Sequence, residues 1–221
     1  LLLVRSVAGL LLILPLILHV GWRTLLEVER PKLMALRACL TTVEVSAFYY
    51  AVASMPLADT ITFWMAGPVY VAALSPLLLG EHVGWRRWTA ILVGFIGVLI
   101  ALRPSSETMT LSALLALSGS FCFALMMITG RALRGSSDLA MVFWPTLGAA
   151  FFGLFTLPLA KVTPTPFDLS LLALLGVVAL VAHFFTNRSL ALADAATVTP
   201  YQYTLLVWAM IFGWIFFRER V

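Results

Sequence analysis

Two ionisable side chains lie inside apolar stretches of the sequence, and both are suited to binding a ligand or moving a proton. Glu44 lies in the middle of LTTVEVSAFYY, and His183 lies in VAHFFTNRS. A charged group at the centre of a membrane helix costs about 2.5–3.5 kcal/mol, so it is expected to face a cavity or a partner. Because histidine titrates near neutral pH, a Glu44–His183 pair could relay protons. A structural hydrogen bond for Glu44 and an ordinary packing position for His183 are the alternatives.

Aromatic and amide side chains close to prolines form a second group of candidates for substrate binding. A proline removes one helical hydrogen bond, and inside a membrane the freed carbonyl must find another partner or line a wet cavity. Cavity lining is therefore one interpretation of these residues, and interfacial or core packing is the other. The candidates are Tyr50, Trp64, Pro68, Tyr201 and Gln202.

The elements that carry these residues are predicted to be membrane-spanning helices. Hydrophobic residues make up 62% of the 221-residue chain and charged residues 11%, and the mean hydropathy is +1.04. Soluble domains have about 45–50% apolar and about 25% charged residues. A bilayer requires about 20 apolar residues per helix, whereas barrel strands alternate in polarity over about ten residues. The sequence thus predicts an all-α polytopic membrane protein with about eight transmembrane helices. These span residues 1–22, 33–53, 57–80, 86–103, 110–130, 139–160, 169–190 and 196–217.

The predicted helices repeat at a constant distance along the chain. The shift that superimposes Glu219 on Glu81 also aligns the last three predicted helices with the first three. The helices at 86–103 and 110–130 have no counterpart within the chain. The repeat unit is therefore five helices, and the chain is expected to lack the first and last helices of a ten-helix fold. The first repeat is predicted to cover residues 1–105 and the second residues 106–221.

Two repeats with an odd number of helices must cross the membrane in opposite directions, as in many secondary transporters. Nine basic residues lie in or next to the connectors after the first, third, fifth and seventh helices, and five lie on the opposite side of the membrane. Because basic connectors stay in the cytoplasm, the connectors with nine basic residues are predicted to be cytoplasmic. Glu81 and Glu219 then end equivalent helices on opposite membrane faces. An acidic side chain at a helix C terminus is unfavourable without a partner. Both glutamates are therefore expected to be structural, with Arg86 or Arg87 as the partner of Glu81.

Other functional classes have little support in the sequence. The basic residues of the connectors set the orientation of the helices in the membrane, which accounts for the net charge of +4. Nucleic acid is therefore not an expected partner. The motifs HExxH, CxxC and GxSxG are absent, so no enzyme activity, metal or cofactor is expected. A structural or accessory subunit of a membrane complex and a membrane-embedded enzyme are the alternatives to a transporter. A homodimer is left open.

Motifs in both halves resemble the EamA repeat of the drug/metabolite transporter superfamily. In the first half, within residues 48–104, they are MPLADT, a proline inside the next helix, GE at its end, and a helix with GFIG that ends in RP. In the second half, within residues 189–219, they are PYQYT, a tryptophan, FGW and a closing glutamate. The resemblance covers nearly the whole chain. One departure is that Leu206 occupies the position equivalent to Pro68.

The resemblance implies ten helices in two inverted five-helix repeats, with a central cavity lined partly by the fourth and ninth helices. Their counterparts here are residues 57–80 and 196–217. It implies a secondary transporter that moves a small organic metabolite across the bacterial inner membrane by alternating access. Similar proteins carry riboflavin, S-adenosylmethionine, amino acids or metallophores, so the substrate and the direction of transport stay open. The expected partners are the metabolite and the lipid bilayer.

Overall fold

The computed structural model describes residues 1–55, 57–102, 111–159, 164–212 and 215, and over these ranges the chain is helical without β-strands. The α-helices are α1 (Leu2–Val20), α2 (Pro31–Ser54), α3 (Leu57–Trp64), α4 (Gly67–Leu79), α5 (Trp85–Leu102), α6 (Leu111–Ala132), α7 (Asp138–Phe155), α8 (Pro166–Leu192), α9 (Ala195–Val198) and α10 (Thr204–Phe212). Short 3-10 helices cover Trp22–Leu26, Leu157–Leu159 and Thr199–Tyr203. The prediction of an all-α protein is confirmed.

Each predicted span contains helix, and five helical segments among the described residues are long and apolar enough to cross a membrane. These segments are Leu2–Val20, Asp59–Leu79, Leu111–Ala132, Asp138–Phe155 and Pro166–Leu192. A helix satisfies its backbone hydrogen bonds internally, which is what the interior of a lipid bilayer requires.

Two of the predicted spans are interrupted helices. α3 and α4 are separated by a turn at Met65–Ala66, immediately before Gly67 and Pro68. α9 passes into the 3-10 helix Thr199–Tyr203, which contains Pro200, before α10 begins. Proline lacks the N–H group that a regular helix needs, so it favours such a break.

The helix boundaries repeat with the offset found in the sequence. α2 ends at Ser54 and α8 ends at Leu192, while α3 begins at Leu57 and α9 begins at Ala195. Both pairs of boundaries are related by the same shift that superimposes Glu219 on Glu81 in the sequence. An interrupted helix follows each pair. The opposite orientation of the two repeats stays a prediction.

The chain divides into two compact units, and each unit uses residues from both predicted repeats. Unit 1 comprises Leu1–Ser46 and Leu125–Leu192, and unit 2 comprises Ala47–Ala124 and Ala193–Val221. Helices α2 and α6 therefore contribute residues to both units. The compact units differ from the predicted repeats, whose boundary near residue 105 stays a prediction.

In unit 1, α1 packs against α7 and α8, and the 3-10 helix Trp22–Leu26 packs against α7. Two hydrogen bonds attach this 3-10 helix to α7. The Ser137 hydroxyl donates to the carbonyl of Thr24 at 2.7 Å, and the indole Nε1 of Trp144 donates to the carbonyl of Leu25 at 2.9 Å. The buried core includes Ile13, Ile17, Leu25, Val142 and Leu180.

Glycines allow the helices of unit 1 to approach closely. A Cβ atom at Gly176 of α8 would collide with the carbonyl oxygen of Arg5 and lie 3.1 Å from the Cβ atom of Ala8. A Cβ atom at Gly153 of α7 would lie 2.7 Å from the backbone nitrogen of Leu3. Membrane helices associate through such close packing of small residues. The contact at Gly176 also places Arg5 next to α8.

Gly176→Ala is expected to lower the free energy of unfolding by about 1–3 kcal/mol, because the added methyl group overpacks the contact with Arg5. The measurement is the unfolding of the purified protein in detergent micelles. Gly97→Ala is the matched control, since a Cβ atom there meets no atom within 4 Å. Alanine is favoured over glycine in a helix by about 1 kcal/mol, so the control should be neutral or stabilising. Equal losses of stability in both variants would contradict the close contact between Gly176 and the backbone of Arg5.

In unit 2, the two interrupted helices pack against each other. α4 contacts both α9 and the 3-10 helix Thr199–Tyr203, and α5 packs against the same 3-10 helix. Where α5 meets this 3-10 helix, a Cβ atom on Gly94 would lie 2.5 Å from the Tyr203 ring. The breaks in both interrupted helices thus belong to one unit.

Candidate functional site

A cavity in unit 1 is lined by α1, α2, α7 and α8. It contains about 40 Å³ of free space, and one water molecule needs about 10–15 Å³. The cavity therefore has room for about three waters or one small polar group. The polar side chains that line it are Arg5, Ser6, Arg37, Thr41, Thr146 and His183.

Arg37 is held at this cavity by a buried hydrogen-bond network. Its side chain is 1% exposed. One terminal nitrogen, Nη1, donates to the carbonyl of Met126, and the other, Nη2, donates to Oδ1 of Asn187 at 2.6 Å. The Nδ2 atom of Asn187 donates in turn to the carbonyl of Met141 at 3.3 Å. The guanidinium group is therefore fixed in orientation by α6, α7 and α8.

The Nε–H group of Arg37 is buried and has no hydrogen-bond partner among the described residues. A buried donor without a partner costs about 1–3 kcal/mol, and more when it belongs to a charged group. A native structure keeps such a group where water or a ligand completes its hydrogen bonding. The unpaired donor marks this cavity as a candidate binding site.

Glu44 and His183, the two predicted ionisable candidates, both lie in unit 1. His183 lines the cavity and is partly exposed. Glu44 is 8% exposed and lies between Thr41 and Val45 on α2, both of which line the cavity. Arg5 lies close enough to Glu44 and to His183 for its charge to act on both. The structure thus gathers charges of both signs around one cavity.

The predicted aromatic and proline residues lie in unit 2, where Trp64 is part of a packed aromatic cluster. Its side chain is 9% exposed, and its ring centroid lies 5.0 Å from that of Phe48 and 6.5 Å from that of Phe123. Pro68 lies four residues later in the interrupted helix and supplies no N–H group to the Trp64 carbonyl. The hydroxyl of Ser120 donates to that carbonyl instead, at 3.1 Å. The helix break is therefore satisfied by α6.

The remaining predicted residues of unit 2 are more accessible. Tyr50 is 51% exposed, and Tyr201 is 72% exposed. Gln202 is partly exposed, and Pro68 is buried near the start of α4. A role of these residues and of Trp64 in substrate binding stays a prediction.

Glu81 contacts the start of the second interrupted helix. Its Oε2 atom accepts a hydrogen bond from the N–H group of Ala195, the first residue of α9, at 3.0 Å. Beside it, Arg87 forms a salt bridge with Asp194 at 3.2 Å. The sequence predicted Arg86 or Arg87 as the partner of Glu81, and the structure adds the backbone of Ala195. Glu219, its predicted counterpart, lies outside the described residues.

Glu81→Ala is expected to lower the free energy of unfolding by about 0.5–2 kcal/mol, because the N–H group of Ala195 loses a capping acceptor. Thermal unfolding of the purified protein in micelles measures the change. Glu27→Ala is the control, because it removes an equal charge from an exposed position. A Glu81→Ala variant no less stable than the Glu27→Ala variant would rule out the capping role.

Arg5 and Arg37 are functional candidates that the sequence patterns did not single out, because arginines near helix ends usually set membrane orientation. A signal for Arg37 was nevertheless present. Arg37, Thr41 and Glu44 are spaced four and seven residues apart on α2, and this spacing places them on one helix face. An arginine and a glutamate on one face of an apolar helix indicate a shared polar environment.

The sequence is similar to known transporters over nearly its whole length. The S-adenosylmethionine uptake transporter of Rickettsia prowazekii (strain Madrid E) is 27% identical over 213 residues, which cover 95% of this chain and 71% of that protein. The riboflavin transporter of Vibrio cholerae serotype O1 is 28% identical over 218 residues, covering 97% of this chain and 73% of that protein. The riboflavin transporter of Rhizobium johnstonii is 30% identical over 183 residues, covering 82% of this chain and 61% of that protein.

The family match extends over both halves of the sequence. Residues 1–103 and 110–221 match the EamA-like transporter family, which confirms the predicted resemblance. Together with the apolar helices, this match makes the protein a multi-pass membrane protein and a transporter rather than an enzyme. The chain belongs to the EamA-like transporter family.

Proposed function

We propose that this chain is a secondary transporter that moves a small organic metabolite across the membrane by alternating access of two inverted repeats. The observation that carries the proposal is the pair of interrupted helices, which begin at Leu57 and Ala195, equivalent positions of the sequence repeat. Discontinuous helices in equivalent positions of two repeats are a common location of transporter binding sites. Inverted repeats can exchange conformations, which opens a site first to one side of the membrane and then to the other.

The proposed location is the inner membrane of a bacterium. Outer-membrane proteins span the lipid as β-barrels, whereas the spans described here are helices. The basic residues of the connectors supply the charge bias that orients helices in a cytoplasmic membrane.

The proposed substrate contacts fall into two groups. In unit 1 they are Arg5, Arg37 and His183, which line the cavity, and Glu44, which lies near Arg5. In unit 2, the proposed contacts come from the interrupted helices and the end of α2. They are Tyr50, Trp64, Pro68, Tyr201 and Gln202.

The relatives suggest two candidate substrates, S-adenosylmethionine and riboflavin. S-adenosylmethionine carries positive and negative charges, whereas riboflavin is uncharged at neutral pH. Burying charged side chains in a membrane is costly unless they meet complementary groups. The arginines and the glutamate around the unit 1 cavity therefore favour S-adenosylmethionine, with riboflavin as the second candidate.

Uptake into proteoliposomes tests this function. The purified chain is reconstituted alone, and the initial uptake of labelled S-adenosylmethionine and riboflavin is compared with uptake into protein-free liposomes. Saturable uptake of either metabolite by the chain alone is the expected result. Uptake that appears only after a second protein is added would instead favour the accessory-subunit alternative. An absence of saturable uptake for both metabolites would contradict the proposal for the two candidate substrates.

A further inference from the structure

We propose that the cavity of unit 1 binds the carboxylate group of the transported metabolite, so that the substrates of this chain are small metabolites with a free carboxylate. This inference rests on the proposed transport function and adds a substrate class and a subsite to it. Arg5, Arg37 and His183 form the subsite.

The hydrogen-bond donors of the cavity fit an anionic group. The hydroxyl hydrogens of Thr41 and Thr146 are already used within their own helices, where they donate to carbonyls one turn earlier at 2.9 and 2.7 Å. The side chains of Arg5, Arg37 and His183 bring N–H donors to the cavity lining, beside the hydroxyl group of Ser6. Charged N–H donors form their strongest hydrogen bonds with carboxylates and phosphates.

Arg37 supplies an independent observation that points to a ligand. Its two terminal nitrogens are held by Met126 and Asn187, so the side chain cannot turn to find another partner. Its Nε–H group stays buried without a partner among the described residues. A carboxylate oxygen in the cavity would complete the hydrogen bonding of this guanidinium group. The arginine is thus preorganised for an acceptor, which reduces the ordering cost of binding.

The size of the cavity is sufficient for a small anionic group. The free space is about 40 Å³, which corresponds to about three waters. A carboxylate group, with one carbon and two oxygen atoms, fits this space. The rest of the metabolite lies outside the cavity in this arrangement.

The charges around the cavity also favour the binding of a single negatively charged group. Arg5 and Arg37 bring two positive charges to the cavity lining, and the carboxyl group of Glu44 lies near Arg5. His183 lines the same cavity as both arginines and lies within reach of their charges. An added carboxylate balances the excess positive charge of this set, which matters because opposite charges attract strongly in a medium of low dielectric constant.

Binding of a matched pair of probes to the full chain in detergent micelles tests the inference. The probes are labelled S-adenosylmethionine and its decarboxylated analogue, which differ in the carboxylate alone. The unsubstituted chain is expected to bind S-adenosylmethionine at least about tenfold more tightly, the usual effect of one charge-assisted hydrogen bond. Uptake of both probes into proteoliposomes is measured in parallel.

Substitution of Arg5 locates the preference in the cavity. Arg5→Gln is expected to reduce the preference to less than about threefold, whereas Arg5→Lys keeps the charge and should retain part of it. Arg23→Gln is the matched control, because Arg23 is exposed on the 3-10 helix Trp22–Leu26. Arg37 is left unchanged in this series, since it also holds Asn187. The ratio of two affinities is insensitive to a uniform loss of folded protein.

Equal affinities for the two probes would overturn the inference, and so would an unchanged preference in Arg5→Gln. The outcomes also separate the inference from the proposed function. Uptake of metabolites without a preference for the carboxylate would leave the transport function standing and overturn the subsite. A preference in binding that Arg5→Gln removes, without uptake of either probe, would support the subsite and contradict transport.

Discussion

Glu44→Gln is expected to reduce the initial rate of metabolite uptake by at least about tenfold, because the substitution removes the ionisable carboxyl group that lies near Arg5. The side chain keeps its size, so the amount of protein in the membrane should stay the same. His183→Ala is expected to lower uptake by a similar factor, since His183 lines the same cavity. Uptake into proteoliposomes, normalised to reconstituted protein, measures both effects.

Glu27→Gln is the control for this series, because it makes the same chemical change at an exposed position. It should transport at the rate of the unsubstituted protein. Normal uptake by both Glu44→Gln and His183→Ala would remove these residues from the candidate site. Loss of uptake together with loss of membrane-inserted protein would assign them a structural role instead.

Asn187→Leu is expected to lower the free energy of unfolding by about 2–4 kcal/mol, because it leaves a second N–H group of the buried Arg37 guanidinium without a partner. Leucine has the same branched shape as asparagine, so the effect arises from the lost hydrogen bond rather than from a void. Unfolding of the micellar protein by a denaturing detergent, followed by circular dichroism, provides the measurement.

Ser189→Leu is the matched control for Asn187→Leu. Ser189 lies two residues later on α8 and is exposed, so leucine there should change the stability by less than about 0.5 kcal/mol. If Asn187→Leu were as stable as this control, the Arg37–Asn187 hydrogen bond would not hold the cavity together.

The helices were predictable from the sequence because lipid imposes a length and a composition on each of them. The breaks were only partly predictable. Pro68 indicated that one carbonyl of its helix lacks an N–H partner, but the cavity-lining and packing interpretations remained equally open. The partner of the Trp64 carbonyl is the hydroxyl group of Ser120, which lies 56 residues further along the chain. Hydropathy contains no information about such a contact.

The cavity was less predictable than the helices because its residues come from four helices that are far apart in sequence. Arg37 and Asn187 are separated by 150 residues, and the polar face of α2 does not indicate which other helices meet it. Arg87 forms a salt bridge with Asp194 beside Glu81, and the predicted pairing of Glu81 with Arg86 or Arg87 stays a prediction. Polar residues inside spans identified Glu44 and His183, but not the arginines that act on them.

Cysteine accessibility on the two sides of the membrane tests most directly whether the protein is built from two inverted repeats. Met55 follows α2 and Ala193 follows α8, at positions that the sequence repeat makes equivalent. Met55→Cys and Ala193→Cys are introduced separately, with Cys39 and Cys122 replaced by serine, and are treated with a membrane-impermeant maleimide. We predict that the cysteine at 55 is labelled from outside the cytoplasm and the cysteine at 193 only after the membrane is opened. Labelling of both positions from the same side would contradict the inverted repeat and the transport mechanism built on it.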